Sequence, residues 1–566
     1  MSTTTRRHWR TARWPYGLTL AVALYAPQAA AEITLAANDE VLNAWQRLAQ
    51  NESGTPTLST DQGGATVIEW HGAASVESYT RDVVGDSTLT PLRDGSYYKA
   101  SVQGDLRETT ADGTVSYLQF AATHSNDRAV LSQNAQLDLF RTGVAGQDYG
   151  FALGDVTTSY STLGTNTLLR GVSGYKQFGD TLVSASVGSM AESWSAFAGT
   201  APRTRYLSDA YAVKVDFPAG QYGRVFLTTQ GFNDDPNSID STQQTYTAAD
   251  ASTSTAGFNY QRGAYTVRGE YGGSRWHQKG GDSYDDHASV VDGEWRAESG
   301  GIRAGHHDIG RYYSSLSADV TAGIRETYLA GDWAPSQWLG LAADVRTSRN
   351  NAAYYASDIR DTDALSLNAN LNLEQWMQGL QLMLQHARSL GTSVDSNRQD
   401  TDSSGATLSY TSAFWGLQIG NSYQRTDNLA MPAAGSKAVS WNGSVNVTLN
   451  RDVETSAIWN ADVTLSGSTQ RQELNSGGVT ESRNYEVSLN AQRLAWGTLA
   501  LSFGQGWLTQ PDGGPELRQQ HLQLDASHPW GESNVVRAYV RNEANDGEPT
   551  SHYSERTVGV QLSTVW

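Results

Sequence analysis

Alternation of apolar and polar residues, with a period of two, runs from about residue 66 to the end of the chain. Around 365–374 every second residue is Leu or Ala, and Ser, Asn and Glu lie between them. The same alternation recurs around 265–271 and 485–492. Because successive side chains of a β-strand point to opposite faces, each segment predicts a strand with one apolar and one polar face.

The composition favours strands in a membrane over a large soluble sheet. Hydrophobic residues make up 38% of the chain and the mean hydropathy is -0.49, yet there are 17 Trp and 27 Tyr. A transmembrane barrel needs apolar residues only at alternate positions, which gives such an average. No segment after the N-terminus has the roughly 18 consecutive apolar residues of a transmembrane helix. The chain is therefore predicted to be all-β and to cross a membrane as strands.

The order of the connections supports a closed barrel. Long polar connections are predicted at 391–403, 427–438, 468–481, 509–517 and 544–551. Between them lie short turns near Gln378-Gly379, Trp415-Gly416, Arg451-Asp452, Trp496-Gly497 and Trp530-Gly531. Transmembrane barrels have short periplasmic turns and longer outer loops. Hairpins that recur roughly every 36 residues predict a transmembrane antiparallel β-barrel of about 26 strands, within a range of about 24 to 26.

Tryptophans lie beside the short turns. Five of them are Trp338, Trp376, Trp415, Trp496 and Trp530. Aromatic girdles lie at the membrane interfaces of such barrels, so these residues are predicted to face the periplasmic interface.

The C-terminal strand carries apolar residues on one face and ends on an aromatic residue. Val558, Val560, Leu562 and Trp566 share that face, while Thr564 interrupts it. The pattern resembles the C-terminal insertion signal of Gram-negative outer-membrane β-barrel proteins. This resemblance implies an outer-membrane location, with the lipid and the barrel-insertion machinery as partners.

The N-terminus has the features of a signal peptide. Arg6, Arg7, Arg10 and Arg13 precede a short apolar stretch, and Ala29-Ala30-Ala31 offers a cleavage site. Asn38 is then placed to cap a short helix that ends near Gln50. The predicted organisation is a signal peptide at 1–31, a periplasmic helix and linker at 32–65, and the barrel at 66–566.

Several classes of chemistry are excluded or disfavoured. The chain has no Cys, so disulfides, thiolate metal sites and cysteine catalysis are excluded. Its formal net charge of -19 disfavours nucleic acid as a partner. There is no phosphate-binding loop, zinc-protease motif or nucleophile elbow. His306 and His307 are adjacent, so on a strand they point to opposite faces. We predict no catalytic residue, no metal and no cofactor.

Acidic residues cluster in the predicted outer loops. The groups are Asp234, Asp235 and Asp240; Asp282, Asp285 and Asp286; Asp358, Asp361 and Asp363; and Asp395, Asp400 and Asp402. Clustered carboxylates are Ca²⁺ ligands in some proteins. Solvated loop tips are the favoured interpretation here.

Charged residues on the polar face of the strands are candidates for the lumen wall. Five of them are Arg268, Glu270, Arg537, Arg541 and Glu543. Strands roughly 4.8 Å apart and tilted about 40° would give a 26-strand ring about 50 Å across, which side chains cannot fill.

One short segment resembles the barrels of fimbrial ushers. Gly154-Asp155 and Arg170-Gly171 lie in neighbouring predicted strands across an outer loop. The resemblance implies that Asp155 and Arg170 pair and brace the wall inside the lumen. Ushers also carry a plug domain within the barrel and soluble domains at both ends. In this sequence, by contrast, the predicted hairpins follow one another at regular intervals without an inserted domain.

Three functions are compatible with a wide barrel. The leading hypothesis is an outer-membrane channel that exports a macromolecule, either a secreted protein or an exopolysaccharide, with a periplasmic protein partner. The alternative is a sheath or scaffold whose lumen holds a partner protein. A diffusion porin is a further alternative, although porins typically have about 16–18 strands.

Overall fold

The structure is a computed structural model. It describes residues 66–85, 92–131, 133–239, 247–316, 320–350, 360–393, 398–428, 431–449, 459–493, 496–510, 516–531, 533–547 and 552–566. All of them belong to one unit, Gly64–Trp566. The predicted signal peptide and the predicted helix at 38–50 lie outside the described residues, and the domain boundaries stay a prediction.

Twenty-six strands, one short α-helix and one 3-10 turn at Pro432–Ala434 make up the regular structure of the described residues. Their bounds are β1 Val67–Gly85, β2 Gly95–Thr109, β3 Val115–Ser125, β4 Ala135–Ala145, β5 Tyr149–Ser159, β6 Asn166–Phe178, β7 Thr181–Met190, α1 Trp194–Phe197, β8 Ser208–Pro218, β9 Gly223–Asp234, β10 Ala249–Arg262, β11 Tyr265–Gln278, β12 Ser283–Ala297, β13 Gly300–Ile309, β14 Ile324–Ser336, β15 Leu339–Asn350, β16 Arg360–Asn372, β17 Leu380–Thr392, β18 Arg398–Thr411, β19 Trp415–Asn428, β20 Ser436–Leu449, β21 Asn460–Leu474, β22 Val479–Arg493, β23 Gly497–Thr509, β24 Leu517–Trp530, β25 Asn534–Asp546 and β26 Tyr553–Val565.

Every strand pairs antiparallel with the next one along the chain, and β26 pairs with β1. The closing ladder runs from Ala73↔Val565 to Gly85↔Tyr553. Just beyond it, the backbone N–H of Gly72 donates to Trp566 O at 2.9 Å, and the N–H of Trp566 donates to Gly72 O at 3.0 Å. The sheet is therefore a closed ring without free edges, and the predicted 26-strand barrel is confirmed.

Large apolar side chains cover the outside of this ring. Leu365 and Leu367 on β16 are 36% and 43% exposed, and the same holds for Val560 and Leu562 on β26 at 53% and 44%. Exposed apolar residues at alternate positions of a closed barrel form a surface that lipid covers. The five tryptophans predicted at the periplasmic interface are all exposed, from 44% to 83%. No helix within the described ranges is long and apolar enough to span a membrane.

Some connections are shorter than predicted, because strands extend into the predicted loops. The predicted long loop at 468–481 is only the turn 475–478, because β21 and β22 extend into it. The predicted tight turn at Arg451-Asp452 lies outside the described residues. A strand of 14 residues, such as β18, rises about 35 Å at a tilt of about 40°, whereas the apolar band is about 25 Å tall. Strand ends therefore extend beyond the lipid and are polar on both faces.

Several acidic residues predicted in loop tips lie in these strand ends. Asp285, Asp361 and Asp400 belong to β12, β16 and β18. Each pairs with an arginine of the preceding strand: Arg275 at 2.7 Å, Arg349 at 2.6 Å and Arg388 at 2.7 Å. Asp240, Asp358 and Asp395 lie outside the described residues. Among the residues that the structure covers, no group of three or more His, Asp or Glu is arranged to hold a metal ion.

Candidate functional site

The hairpin of β5 and β6 leaves the barrel wall halfway along its length. β5 pairs with β6 as far as Ser159↔Asn166, but it pairs with β4 only as far as Arg141↔Gly154. On the other side, β6 pairs with β7 only as far as Arg170↔Ser189. Gly154, where β5 parts from β4, has φ +107°, in the region that favours glycine. Beyond this point, the hairpin is held by contacts other than the sheet.

The tip of the hairpin packs inside the lumen. Leu163 is completely buried, and its N–H donates to Glu270 Oε2 at 3.1 Å. The hydroxyl of Thr165 donates to Gln230 Oε1. Glu270 and Gln230 alternate along β11 and β9 with the exposed apolar residues Tyr271 and Leu227, so they face inward. The hairpin therefore bends into the lumen and reaches the inner wall at β9 and β11.

The connection between β13 and β14 holds the tip in place. The hydroxyl of Tyr313 donates to Leu163 O at 3.0 Å, and the N–H of Asn166 donates to Leu316 O at 3.2 Å. Leu316 is buried with Val156, Leu169 and residues of the wall. The same connection is tied to the wall where the N–H of Ser314 donates to Ser274 Oγ at 3.1 Å. We name residues 155–170 and 310–316 together the lumenal layer.

Asp155 and Arg170 lie at the root of the hairpin. Their side chains are 3.4 Å apart and only 2% and 7% exposed. Asp155 Oδ2 accepts the backbone N–H of Phe140 at 2.9 Å, next to the point where pairing of β4 with β5 ends. It also accepts Trp194 Nε1–H from α1 at 2.6 Å, and the Arg170 guanidinium lies 5.6 Å from the centroid of that ring.

Asp155 and Arg170 form the predicted ion pair, and it lies at the root of the hairpin beneath Trp194. Asp155 and Arg170 alternate along the hairpin with Val156 and Leu169, which pack in the lumenal layer. The ion pair therefore lies on the opposite face of the hairpin, where Trp194 covers it. The departure of the hairpin leaves a backbone donor of β4 without a strand partner. A buried backbone group needs a hydrogen bond, and the Asp155 carboxylate supplies it.

Substitution of Asp155 by Ala is expected to destabilise the barrel by about 3–5 kcal/mol, because Arg170 would keep a buried and unpaired charge. The measurement is the temperature at which the compact, detergent-resistant band of the folded protein converts to the unfolded band on a gel. The double variant Asp155→Ala, Arg170→Met removes the orphaned charge and should recover part of the loss. Equal transition temperatures for wild type and Asp155→Ala would contradict this role.

Arg268 and Glu270 have different surroundings although both face inward. Arg268 is largely exposed and its Nε lies 3.0 Å from Asp292 Oδ2. Asp292 Oδ1 accepts the hydroxyl of Tyr328 at 2.7 Å and lies 2.8 Å from His307 Nε2. Glu270 is only 6% exposed because Leu163 covers it. Arg268 therefore belongs to the open lumen surface, whereas Glu270 anchors the lumenal layer.

Arg537, Arg541 and Glu543 lie on β25, beside the strands that close the ring. Arg537 and Arg541 flank Tyr539, with guanidinium carbons 5.3 and 4.9 Å from the ring centroid. Arg537 also pairs with Asp525 at 2.5 Å. Glu543 is exposed and lies opposite Glu555 in the ladder with β26.

Tyr539 crosses the closing strand. Its hydroxyl donates to Glu77 Oε1 of β1 at 2.6 Å, across the whole width of β26. Gly559 of β26 makes the crossing possible, since a Cβ there would lie 2.5 Å from the Tyr539 ring. On β1, Arg81 pairs with Asp127 at 2.9 Å and with Glu555 at 3.2 Å. We name the inward faces of β25, β26 and β1 the closure seam; its polar side chains connect the two ends of the barrel.

The residues of the predicted insertion signal share one exposed face of β26. Val558, Val560, Leu562 and Trp566 are 39%, 53%, 44% and 45% exposed. Their role in insertion stays a prediction.

Sequence reasoning missed Leu163, Trp194, Tyr313 and Tyr539. These side chains are set by contacts between segments distant along the chain; the hydroxyl of Tyr313, for example, binds a carbonyl 150 positions away. The available signals were Gly154, at a position where the strand pattern needs no glycine, and the long connection 310–323.

Comparisons with known proteins give matches at the level of structure. No family profile matches the sequence, and no curated protein matches it. The outer membrane protein OpdK from Pseudomonas aeruginosa is 14% identical, over 56% of this chain and 94% of its own, with a TM-score of 0.29. The translocation pore of the P pilus usher PapC is 11% identical, over 88% and 99%, with a TM-score of 0.31. The siderophore receptor PirA from Pseudomonas aeruginosa is 10% identical, over 88% and 80%, with a TM-score of 0.41.

The ring of this chain has no free edge, and lipid-compatible side chains cover its outer face. Its inner face is polar and carries ion pairs. In a bilayer, a sheet satisfies its backbone hydrogen bonds only when it closes in this way. The protein is a multi-pass β-barrel of the Gram-negative outer membrane.

Proposed function

We propose that this barrel exports a macromolecule, either a secreted protein or an exopolysaccharide, across the outer membrane. The observation that carries the proposal is the size of the ring. Its 26 strands enclose a backbone circle about 50 Å across at a tilt of about 40°. Diffusion porins typically need only about 16–18 strands.

The lumenal layer narrows the passage from one side. Beyond the root of the hairpin, the wall residues that the layer contacts lie on strands from β7 to β13, among them Ser186, Ala210, Gln230, Ser274 and Ile309. Apolar contacts with the wall bury Leu163 and Leu316, so the layer is packed against the wall. A wide conduit in an outer membrane must be closed when it is idle. The proposal therefore includes a periplasmic or lumenal protein partner that completes the closure, and it assigns no catalytic role to the wall.

Reconstitution of the purified mature protein in planar lipid bilayers tests the proposal. An export conduit without its partner should show a single-channel conductance well above that of a 16–18-strand porin measured in the same bilayer. A porin-like conductance would contradict export of a macromolecule. A silent barrel that co-purifies with an equimolar periplasmic protein, protected from protease, would contradict it in favour of the sheath.

A further inference from the structure

The inward face of eight consecutive strands is almost free of charge. On β16–β23, the apolar residues Leu365, Leu408, Ile419 and Leu465 are exposed on the outer face, so the residues that alternate with them face the lumen. From Thr362 on β16 to Leu508 on β23, these inward residues are overwhelmingly Ser, Thr, Asn, Gln, Gly and Ala. Asp462 and Glu486 are the only charged residues among those that the structure describes, and there is no aromatic residue among them. We name this surface the neutral sector.

The neutral sector is a property of one side of the lumen. Inward-facing charges are frequent elsewhere, as in the pairs Arg268–Asp292, Arg346–Glu326 and Arg537–Asp525. Charges are also frequent on the outer faces of the same eight strands, where Arg388 pairs with Asp400 and Arg483 with Glu481. The strands of the sector therefore carry charge, but on the side that does not face the lumen.

The sector lies away from the lumenal layer. Beyond the root of the hairpin, the layer contacts the wall on strands β7–β13, whereas the sector begins at β16. Many of its side chains are half-buried or exposed, among them Asn368 and Asn370. Most of their contacts with one another are hydrogen bonds between neutral groups: Asn446 Nδ2 donates to Thr464 Oγ1 at 2.9 Å, and the hydroxyls of Ser422 and Ser440 are 2.6 Å apart. Thr448, which donates to Asp462 Oδ1, is an exception. The conduit thus has one side with a packed layer and another with a polar, uncharged wall.

We propose that the cargo is an uncharged polysaccharide and that the neutral sector is the surface along which it slides; this inference rests on the proposed export function. Side-chain amides and hydroxyls both donate and accept hydrogen bonds, as do the hydroxyls of a neutral sugar. Equivalent groups recur at every second residue of neighbouring strands, so a polymer of repeating units finds similar partners at each step. Neutral hydrogen bonds that replace hydrogen bonds to water each contribute little net free energy. The polysaccharide can therefore move along the wall instead of remaining bound to it.

Other polymers fit this surface less well. A strongly anionic polymer would need a track of Arg or Lys, since buried or narrow passages lined by one sign of charge concentrate the opposite sign. An extended secreted polypeptide presents charged and apolar side chains, for which the sector offers neither ionic nor aromatic partners. The observations therefore favour the neutral polysaccharide among the macromolecules that the ring could pass.

The test uses the full mature protein in planar bilayers, with three probes of similar length: linear dextran, dextran sulfate and an unfolded polypeptide of mixed charge. Dextran should interrupt the current at least about tenfold more often than either of the others. The variant Asn442→Asp, Asn446→Asp, Asn484→Asp, Asn490→Asp places four carboxylates in the sector without changing side-chain size. It should shorten the dextran blockades by at least about threefold, since each change removes a hydrogen-bond donor, and should shift the pore toward cation selectivity. The matched variant with Gln at the same four positions should retain the wild-type blockades.

The outcomes separate the cargo from the export function. If the polypeptide blocks more often than dextran, and the four carboxylates leave the dextran blockades unchanged, the polysaccharide inference is overturned while export of a macromolecule stands. If no polymer enters although ions and small sugars pass, the proposed function itself fails.

Discussion

Replacement of Leu163 by Asp is expected to open the lumenal layer and to raise the conductance of the reconstituted barrel. The side chain of Leu163 is completely buried between the hairpin and the wall, and its own N–H binds the Glu270 carboxylate. A second carboxylate at this position would be desolvated and would lie beside Glu270. A penalty of about 3 kcal/mol shifts the ratio of open to closed layers roughly a hundredfold. The measurement is the distribution of single-channel conductances in a planar bilayer.

Two variants separate opening of the layer from general damage. Leu163→Met conserves volume and typically costs less than about 1.5 kcal/mol, so its conductance should match that of the wild type. Ser159→Asp adds the same charge at an exposed position of the same hairpin and should also leave the conductance unchanged. An unchanged conductance of Leu163→Asp, in protein with the wild-type gel mobility, would show that the layer does not restrict the passage.

Replacement of Gly559 by Val is expected to prevent stable closure of the barrel. A Cβ at this position would lie 2.5 Å from the ring of Tyr539, which is buried and donates to Glu77. The ring must then leave its place between the arginines. Overpacking costs about 1–3 kcal/mol, and loss of a hydrogen bond to a charged group costs about 1.5–3 kcal/mol more. The fraction of protein that resists detergent at room temperature should fall sharply.

Gly293→Val is the matched control for Gly559→Val. Gly293 lies on β12, and a Cβ there would meet no atom within 4 Å. This variant should assemble like the wild type. The double variant Gly559→Val, Tyr539→Ala removes the ring that clashes and should assemble better than Gly559→Val alone. If Gly559→Val and Gly293→Val behaved alike, the crossing of Tyr539 would contribute nothing to closure.

Most of the barrel could be predicted from the sequence, because strands and turns are determined by residues that are close together in the chain. The alternation of apolar and polar residues at Leu365, Ser366 and Leu367 is enough to predict a strand with one apolar and one polar face. The tryptophans beside Gly416 and Gly531 mark one membrane interface, because tight turns and interfacial aromatics occur together there. An even number of strands then follows from counting hairpins.

The structure inside the barrel could not be predicted, because it depends on contacts between residues that are far apart in the sequence. Asp155 and Arg170 were recognised as a pair, yet their burial depends on Trp194 from the connection that follows β7. The inward bend of the hairpin leaves no periodic signal, since β5 and β6 keep their alternation beyond Gly154. The sequence predicts Asp361 and Asp400 in loops, because charges on the outer face of a strand are expected only where that strand leaves the lipid.

A disulfide across the closing strands tests the central claim most directly. The chain has no Cys, so any disulfide must come from introduced residues. Ser75 on β1 lies opposite Ser101 of β2 and also opposite Ser563 of β26. Directly opposed residues of an antiparallel ladder have Cα atoms about 4.5–5.5 Å apart, within the range of a disulfide.

The closed barrel predicts that Ser75→Cys forms a disulfide with Ser563→Cys as readily as with Ser101→Cys, in outer-membrane fractions under mild oxidation. The pair Ser75→Cys, Ser527→Cys, on strands that are not neighbours, should remain reduced. A disulfide between 75 and 101 without one between 75 and 563 would show that the two ends of the sheet do not meet, and would contradict the closed barrel.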